Sequence, residues 1–233
     1  MMFHTFTEFL IRKTLKRNFS LDRRIPSLYL LGMIMEKGVA LIRGVLLFRC
    51  CIPVFVHSGT VIKCKSQIHF GAGLQIARQC YIDALSVDGI VLGRNVSIGY
   101  STCILLSGSL KDLGKGLIVG NNVGLGSHGF LGCAGGVVIG DDTILGNFVS
   151  LHSENHNFQI PGIPIRLQGV NRQGIRIGRN CWIGAKATLL DGVHLGDNCI
   201  IAAGAVVVKG DYPSGVILGG VPAKIIKRIN QHA

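Results

Sequence analysis

The run Leu151-His152-Ser153-Glu154-Asn155-His156 concentrates side chains able to move a proton near neutral pH. A histidine titrates at about 6.5 when unperturbed, so its neutral ring can take a proton from a hydroxyl and give it up again. Six-residue units lead up to this run from Ile139 and resume from Ile177 to Tyr212, whereas Asn157 to Gly174 has no such pattern. Taken alone, a histidine in a polar stretch is a solvated corner residue more often than a base. His156 stands where a repeat breaks and then recovers, which is what an active-site loop requires, and it is the candidate general base. His152 could orient that ring, contact an acceptor or simply occupy the surface, with Glu154 as an alternative orienting partner. His128 reads as structural.

The elements that must position these histidines follow from the period. In one uninterrupted frame the lead positions are Val56, Ile62, Ile68, Leu74, Cys80, Ser86, Leu92, Ile98 and Ile104. The frame restarts at Val119, Leu125 and Leu131, runs through Ile139, Leu145 and Leu151, and ends with Ile177, Ile183, Leu189, Leu195, Ile201 and Val207. Each unit predicts one short strand and a corner, and three units make one coil of a triangular solenoid. Residues one coil apart then stack at strand spacing, about 4.8 Å. The lead residue points inward, as does the fifth, where only modest volume fits; Cys181 and Cys199 are fifth residues one coil apart. Glycine at the second place and Asn95, Asn122, Asn180 and Asn198 at the fourth suit the corner dihedrals. About seven coils are expected.

Composition agrees with strands and tight turns. The chain has 233 residues, 48% hydrophobic and 15% charged, with 33 glycines. Disorder would need fewer aliphatics, and a helical bundle fewer glycines. The net charge of +12 is lopsided, with nine Lys or Arg against three Asp or Glu in residues 1–50. No interleaving of aromatic and basic residues accompanies it, so nucleic acid is not the expected partner. Eight scattered cysteines without a CxxC pair suit neither a disulfide framework nor a zinc site, and reduced buried thiols point to the cytoplasm.

Residues 1–54 read as an N-terminal helical, amphipathic segment, and 55–233 as the solenoid domain with an inserted loop at 157–174. Phe3, Phe6, Phe9, Leu10, Leu15 and Phe19 mark one face, with Arg12, Lys13, Lys16 and Arg17 largely elsewhere. Glu36, Lys37 and Arg43 interrupt the apolar stretch 28–48, which argues against a spanning helix. A signal peptide is not expected, because an unbroken apolar core and a cleavage site are both missing. The segment is expected to cap the solenoid or to make peripheral contact with a membrane face.

Ile177-Gly-Arg-Asn-Cys-Trp-Ile-Gly-Ala185, Gly192-Val-His-Leu-Gly-Asp197, Ala203-Gly-Ala-Val-Val-Val-Lys209 and Gly219-Gly-Val-Pro-Ala-Lys224 resemble the hexapeptide-repeat acyltransferases. The branch is that of maltose, galactoside and xenobiotic acetyltransferases. The run His152 to His156, with Gln168-Gly-Val-Asn-Arg-Gln-Gly174, is most similar to O-acetyltransferases of capsule, exopolysaccharide and O-antigen biosynthesis. The resemblance spans about residues 56–229. It implies an all-β left-handed parallel β-helix with a short C-terminal tail, a hand that periodicity alone does not give.

The resemblance also implies direct transfer of an acetyl group from acetyl-CoA to a saccharide hydroxyl, with His156 as base, no acyl-enzyme and no metal. The enzyme would be a cytoplasmic homotrimer, and its basic, amphipathic N-terminus would suit a lipid-linked glycan acceptor at the cytoplasmic membrane face. Carried over by position, coenzyme A contacts fall on the backbones of Ala185 and Ala203, on Val208 and Lys209, and on Lys224 and Lys227 beside the phosphates. Val208 stands where relatives often carry threonine. His152 and Ser127 are acceptor-side candidates, Trp182 could line the cofactor groove, and the 157–174 loop would cover a neighbouring chain's site, with Arg166 or Arg172 holding an acidic group. The stretch Leu125 to Ala134 lacks the Asn and Asp by which sugar acetyltransferases hold their sugar, so the acceptor is expected to be held differently. N-acylation of an amino sugar would use the same base. Further from this lie a metal-dependent hydratase using His128, His152 and His156, and a solenoid without catalysis.

Overall fold

Aliphatic side chains recur on the inner side of the chain and stack on their counterparts one coil away, so the backbone winds into a three-faced prism. This is a left-handed parallel β-helix, seen in a computed structural model that describes Glu8 and residues 20–229. The first face carries the inward residues Val56, Ile76, Ile98, Leu125, Leu145, Ile183, Ile201 and Leu218. Ile62, Ile82, Ile104, Leu131, Leu151, Leu189 and Val207 line the second. Phe70, Leu92, Val119, Ile139, Ile177, Leu195 and Tyr212 line the third. The second and third faces each hold 7 strands, in line with the expected number of coils.

The repeat frame needs one correction. Ile68, Leu74, Cys80 and Ser86 are not lead residues; Phe70, Ile76 and Ile82 are, pairing with Leu92, Ile98 and Ile104. Extra residues enter after Ile62, in the turn Lys65–Gln67, and again after Ile82. Together they amount to one unit, so an uninterrupted frame rejoins the true one at Leu92. Ile68, Leu74 and Cys80 are nevertheless buried, because positions two before a lead also point inward. Ser86 is buried in the second insertion, its hydroxyl donating to the Ala84 carbonyl and accepting from the Gly89 N–H.

Corners follow two rules. Asn95, Asn122, Asn180 and Asn198 take φ between 52° and 59°, the left-handed conformation asparagine tolerates. Glycine at the second place has another cause than the expected one, since its φ is ordinary. A Cβ on Gly99 would lie 2.5 Å from the Ser127 nitrogen, and one on Gly178 would lie 2.5 Å from the Gly196 carbonyl carbon. Close stacking of coils, not dihedral freedom, demands glycine there.

Every insertion leaves from the edge between the second and third faces: after Ile62, Ile82, Ile104, Leu131 and Leu151. This second edge therefore collects the irregular chain, while the first edge, between first and second faces, stays regular. At the start of the prism, the helix Ser27–Phe48 packs on Val54–Val56, with Gly44 against the Val54 carbonyl. The apolar and basic residues expected at positions 3–19 lie outside the described residues. All eight cysteines are free, and Cys80, Cys133, Cys181 and Cys199 are buried.

Candidate active site

The long loop begins earlier than its sequence pattern suggested. Ser153 is buried and fixes the point of departure, its hydroxyl donating to the Gly132 carbonyl at 2.8 Å and accepting from the Gly135 N–H at 2.9 Å. Beyond it Asn155–His156 pairs antiparallel with Val170–Asn171, so His156 faces Val170 on the stem of a hairpin standing off the second edge. The side chain of His156 is exposed, held by its strand and not by the prism. Gln168 closes the loop tip, its carboxamide bonding Ile160 N–H and carbonyl, both at 3.0 Å, and the Ile163 carbonyl at 2.7 Å.

Two residues hold the stem. Asp191 is 2% exposed and accepts the Gly174 N–H at 2.7 Å and the Gln173 N–H at 2.9 Å, with the Asn155 amide at 3.5 Å. Its carboxylate thus ties the returning strand to the coil below. Arg172 meets Glu154 at 3.0 Å and Asp112 at 2.9 Å, and donates to the carbonyls of Leu113 and Asp112. This corrects two expectations: Arg172 is engaged by carboxylates of its own chain, and Glu154 orients Arg172, not His156. Arg172→Ala is expected to loosen the loop by about 1 kcal/mol, a half-exposed charge network being partly screened. Limited proteolysis should then nick residues 155–171 about fivefold faster; an unchanged rate would mean the arginine does not hold the loop.

His152 points outward from the second face. Its Nε2 lies 2.6 Å from the Ser150 hydroxyl, and its ring tilts over Phe130 at 5.3 Å. Partial burial there holds its pKa below the usual histidine range. His128 lies on the first edge, stacked on Phe148 and edge-on to Tyr100. Among the described residues no three of His, Cys, Asp or Glu converge in a way that could hold a metal ion.

The remaining candidates divide between two edges. Ser127, Asn147, Ala185 and Ala203 form a column up the first edge, one per coil, with Lys186 N–H and Gly204 N–H bonded at 2.9 Å to the carbonyls of Asn147 and Ala185. The Asn147 carboxamide, unanticipated from sequence, accepts the Ser127 N–H at 3.0 Å. Ala185 and Ala203 are exposed, and beyond the backbone of Gly204 a Cβ would meet open space. The final strand Ala223–Arg228 runs back along Val216–Gly220 and sets Lys224 opposite Gly219, at the end of this column. A bulge between Ile217 and Leu218 pairs Lys227 with Ile217, so both lysines share the outer face. Val208 and Lys209 lie instead on the second edge with His156, the Val208 carbonyl held by the Tyr212 hydroxyl at 2.9 Å. Trp182, 53% exposed, sits on the first face between Ile144 and Ile200, away from the loop.

This arrangement can be compared with known proteins. Residues 174–209 match the family described as hexapeptide repeat of succinyl-transferase. WbbJ of Escherichia coli K12, named as a lipopolysaccharide biosynthesis O-acetyl transferase, is 30% identical over 160 residues, covering 65% of this chain and 76% of that protein. Rv3034c of Mycobacterium tuberculosis, named as an acetyltransferase, is 29% identical over 164 residues; the match takes in 70% of this chain but spans only 50% of that protein. Among solved structures, a variant of AntD, an N-acyltransferase from Bacillus cereus, in complex with dTDP and coenzyme A shares the fold. Its TM-score is 0.50 at 16% identity, over 76% of this chain and 82% of that one.

Proposed function

The chain belongs to the hexapeptide-repeat acyltransferases, and on that premise we propose that it is an acetyl-CoA-dependent O-acetyltransferase of a saccharide hydroxyl in cell-surface polysaccharide biosynthesis. The observation that carries this reading is the division of the site. The small-residue column ending in Lys224 and Lys227 suits a pantetheine arm and its phosphates, while the base stands on the opposite edge of the second face. One prism cannot bring both edges to one thioester. A homotrimer in which the first edge of one chain faces the second edge of its neighbour completes the site. The loop supports this: Phe158, Ile160, Ile163, Ile165 and Leu167 are 42–67% exposed, an apolar tip suited to a neighbouring chain.

In the reaction, acetyl-CoA supplies the thioester carbon. His156 takes the proton from the acceptor hydroxyl as its oxygen bonds that carbon. The charge that develops on the carbonyl oxygen needs a nearby donor. When the carbon–sulfur bond breaks, the proton passes from His156 to the leaving thiolate, and the neutral base is restored. Close approach along the column depends on alanine at 185 and 203, where a larger side chain would stand in the groove. Lys224 and Lys227 act as point charges toward phosphate. Val208 offers no hydroxyl, so contact there is through backbone. Ser127, at the far end of the column, and His152, beside Ser150, are the acceptor-side groups. Similarity to WbbJ favours oxygen over nitrogen as the acceptor atom.

The test is release of free thiol from acetyl-CoA across a panel of sugars, nucleotide sugars and amino sugars, with the product analysed for ester or amide. An amide product alone would overturn O-acetylation. Replacing Lys224 and Lys227 together by alanine is expected to raise the KM for acetyl-CoA about tenfold with little change in kcat. An unaltered KM would remove these lysines from the cofactor site.

A further inference from the structure

The helix Ser27–Phe48 is apolar over most of its surface, interrupted by Glu36, Lys37 and Arg43, and the solenoid covers only one side of it. Leu30, Ala40 and Gly44 are buried. On the opposite side Leu28, Leu31, Met35, Val39, Ile42 and Leu46 are 42–80% exposed. Steps of three and four residues align them along the whole helix, a straight stripe about 30 Å long. A continuous apolar patch of that length is seldom left facing water.

The charges around the stripe say what covers it. Glu36, the sole carboxylate of the helix, is turned aside, its Oε1 3.0 Å from both His57 and Arg78. Arg43 is exposed on the flank of the stripe and Arg49 at its end. A second copy seated on the stripe would bring further cations against Arg43 and Arg49, whereas an anionic surface brings the opposite sign. The stripe is carried by one helix whose other side is covered by the solenoid, so only its outer face can enter an interface plane. No described helix is long and apolar enough to cross a membrane.

We propose that this helix docks the enzyme in-plane on an anionic lipid bilayer, its Leu28-to-Leu46 stripe among the acyl chains and Arg43 and Arg49 at the headgroups. The solenoid then stands with its first coil against the surface. Parallel chains of a trimer would present three such stripes to the same plane. The inference holds whichever acceptor hydroxyl or amine the enzyme uses.

The experiment is co-sedimentation of the full chain with phosphatidylcholine vesicles, with and without phosphatidylglycerol. Attachment to the anionic vesicles is expected to exceed that to neutral ones by about 25-fold or more and to weaken with salt, Arg43 and Arg49 each contributing about fivefold. Met35→Glu combined with Ile42→Glu should reduce attachment about tenfold or more, with unchanged circular dichroism. Arg43→Gln with Arg49→Gln should reduce the preference for the anionic lipid by about 25-fold and serves should the first variant misfold. Failure of the unmodified chain to sediment with anionic vesicles would overturn the proposal. So would equal attachment of the glutamate variant, or a change in its sedimentation velocity without loss of vesicle binding, which would mark the stripe as a contact between copies. None of these readouts depends on acetyl transfer.

Discussion

His156→Ala is expected to lower the turnover of acetyl transfer about 10²–10⁴-fold, the usual contribution of a positioned general base. The loss should be kinetic alone. The imidazole is exposed, and its residue is held through backbone pairing with Val170, so truncation leaves no cavity and no orphaned partner. The proposed cofactor column lies on the other edge, so the KM for acetyl-CoA should stay close to that of the parent. His152→Ala makes the informative contrast. That ring is bonded to Ser150 and leans on Phe130, so its removal disturbs the face and should cost far less in turnover. Thiol release under saturating acetyl-CoA decides between them. Full activity in His156→Ala would sink the mechanism, and a larger loss in His152→Ala would move the base to the face.

The division between what the chain discloses and what it conceals has a physical basis. Lead aliphatics and fifth-place small residues are legible because a prism of constant width imposes the same volume on every coil, as Cys181 and Cys199 illustrate. The frame through Ile68, Leu74, Cys80 and Ser86 failed because two insertions summed to one period and left no visible gap. Local spacing carries no trace of such a compensated slip. Second-place glycines are visible in the sequence, but their constraint is not, because it comes from a backbone one coil away. The same limit hides the supports of the site. Arg172 shows itself as a loop cation, but its partner Asp112 lies in another insertion, and only their shared exit edge brings the two together. The split of Ala185 and Ala203 from Val208 and Lys209 follows from counting corners, and it turns a cofactor site assigned by resemblance into one that needs two chains.

Asp191 is the clearest concealed residue, and its replacement carries the second large expected effect. In sequence it is one acid in Leu190-Asp191-Gly192, at a corner between apolar strands. In the fold its carboxylate takes both N–H groups by which the loop re-enters the prism, with the Asn155 amide beside it at 3.5 Å. Bonds to a charged acceptor are strong, and a buried N–H left without one costs the full desolvation of the group. Asp191→Ala strips the acceptor from the buried Gly174 N–H and the partly buried Gln173 N–H, and should destabilise the closed stem by about 2–4 kcal/mol. Asp191→Asn should be intermediate, because its amide end must confront one of the two donors. The rest of the solenoid has its own ladder, so opening is expected to stay local to the stem. Hydrogen exchange would register it as about 30-fold to 1000-fold faster exchange at Gln173 and Gly174, with the amides of Leu189 and Leu195 unchanged. Because His156 rides on the same stem, turnover should fall in the order Ala below Asn below parent, while affinity for acetyl-CoA on the opposite edge holds. Unaltered protection at Gln173 and Gly174 in Asp191→Ala would show that the hairpin, and with it the base, is positioned by something other than this carboxylate.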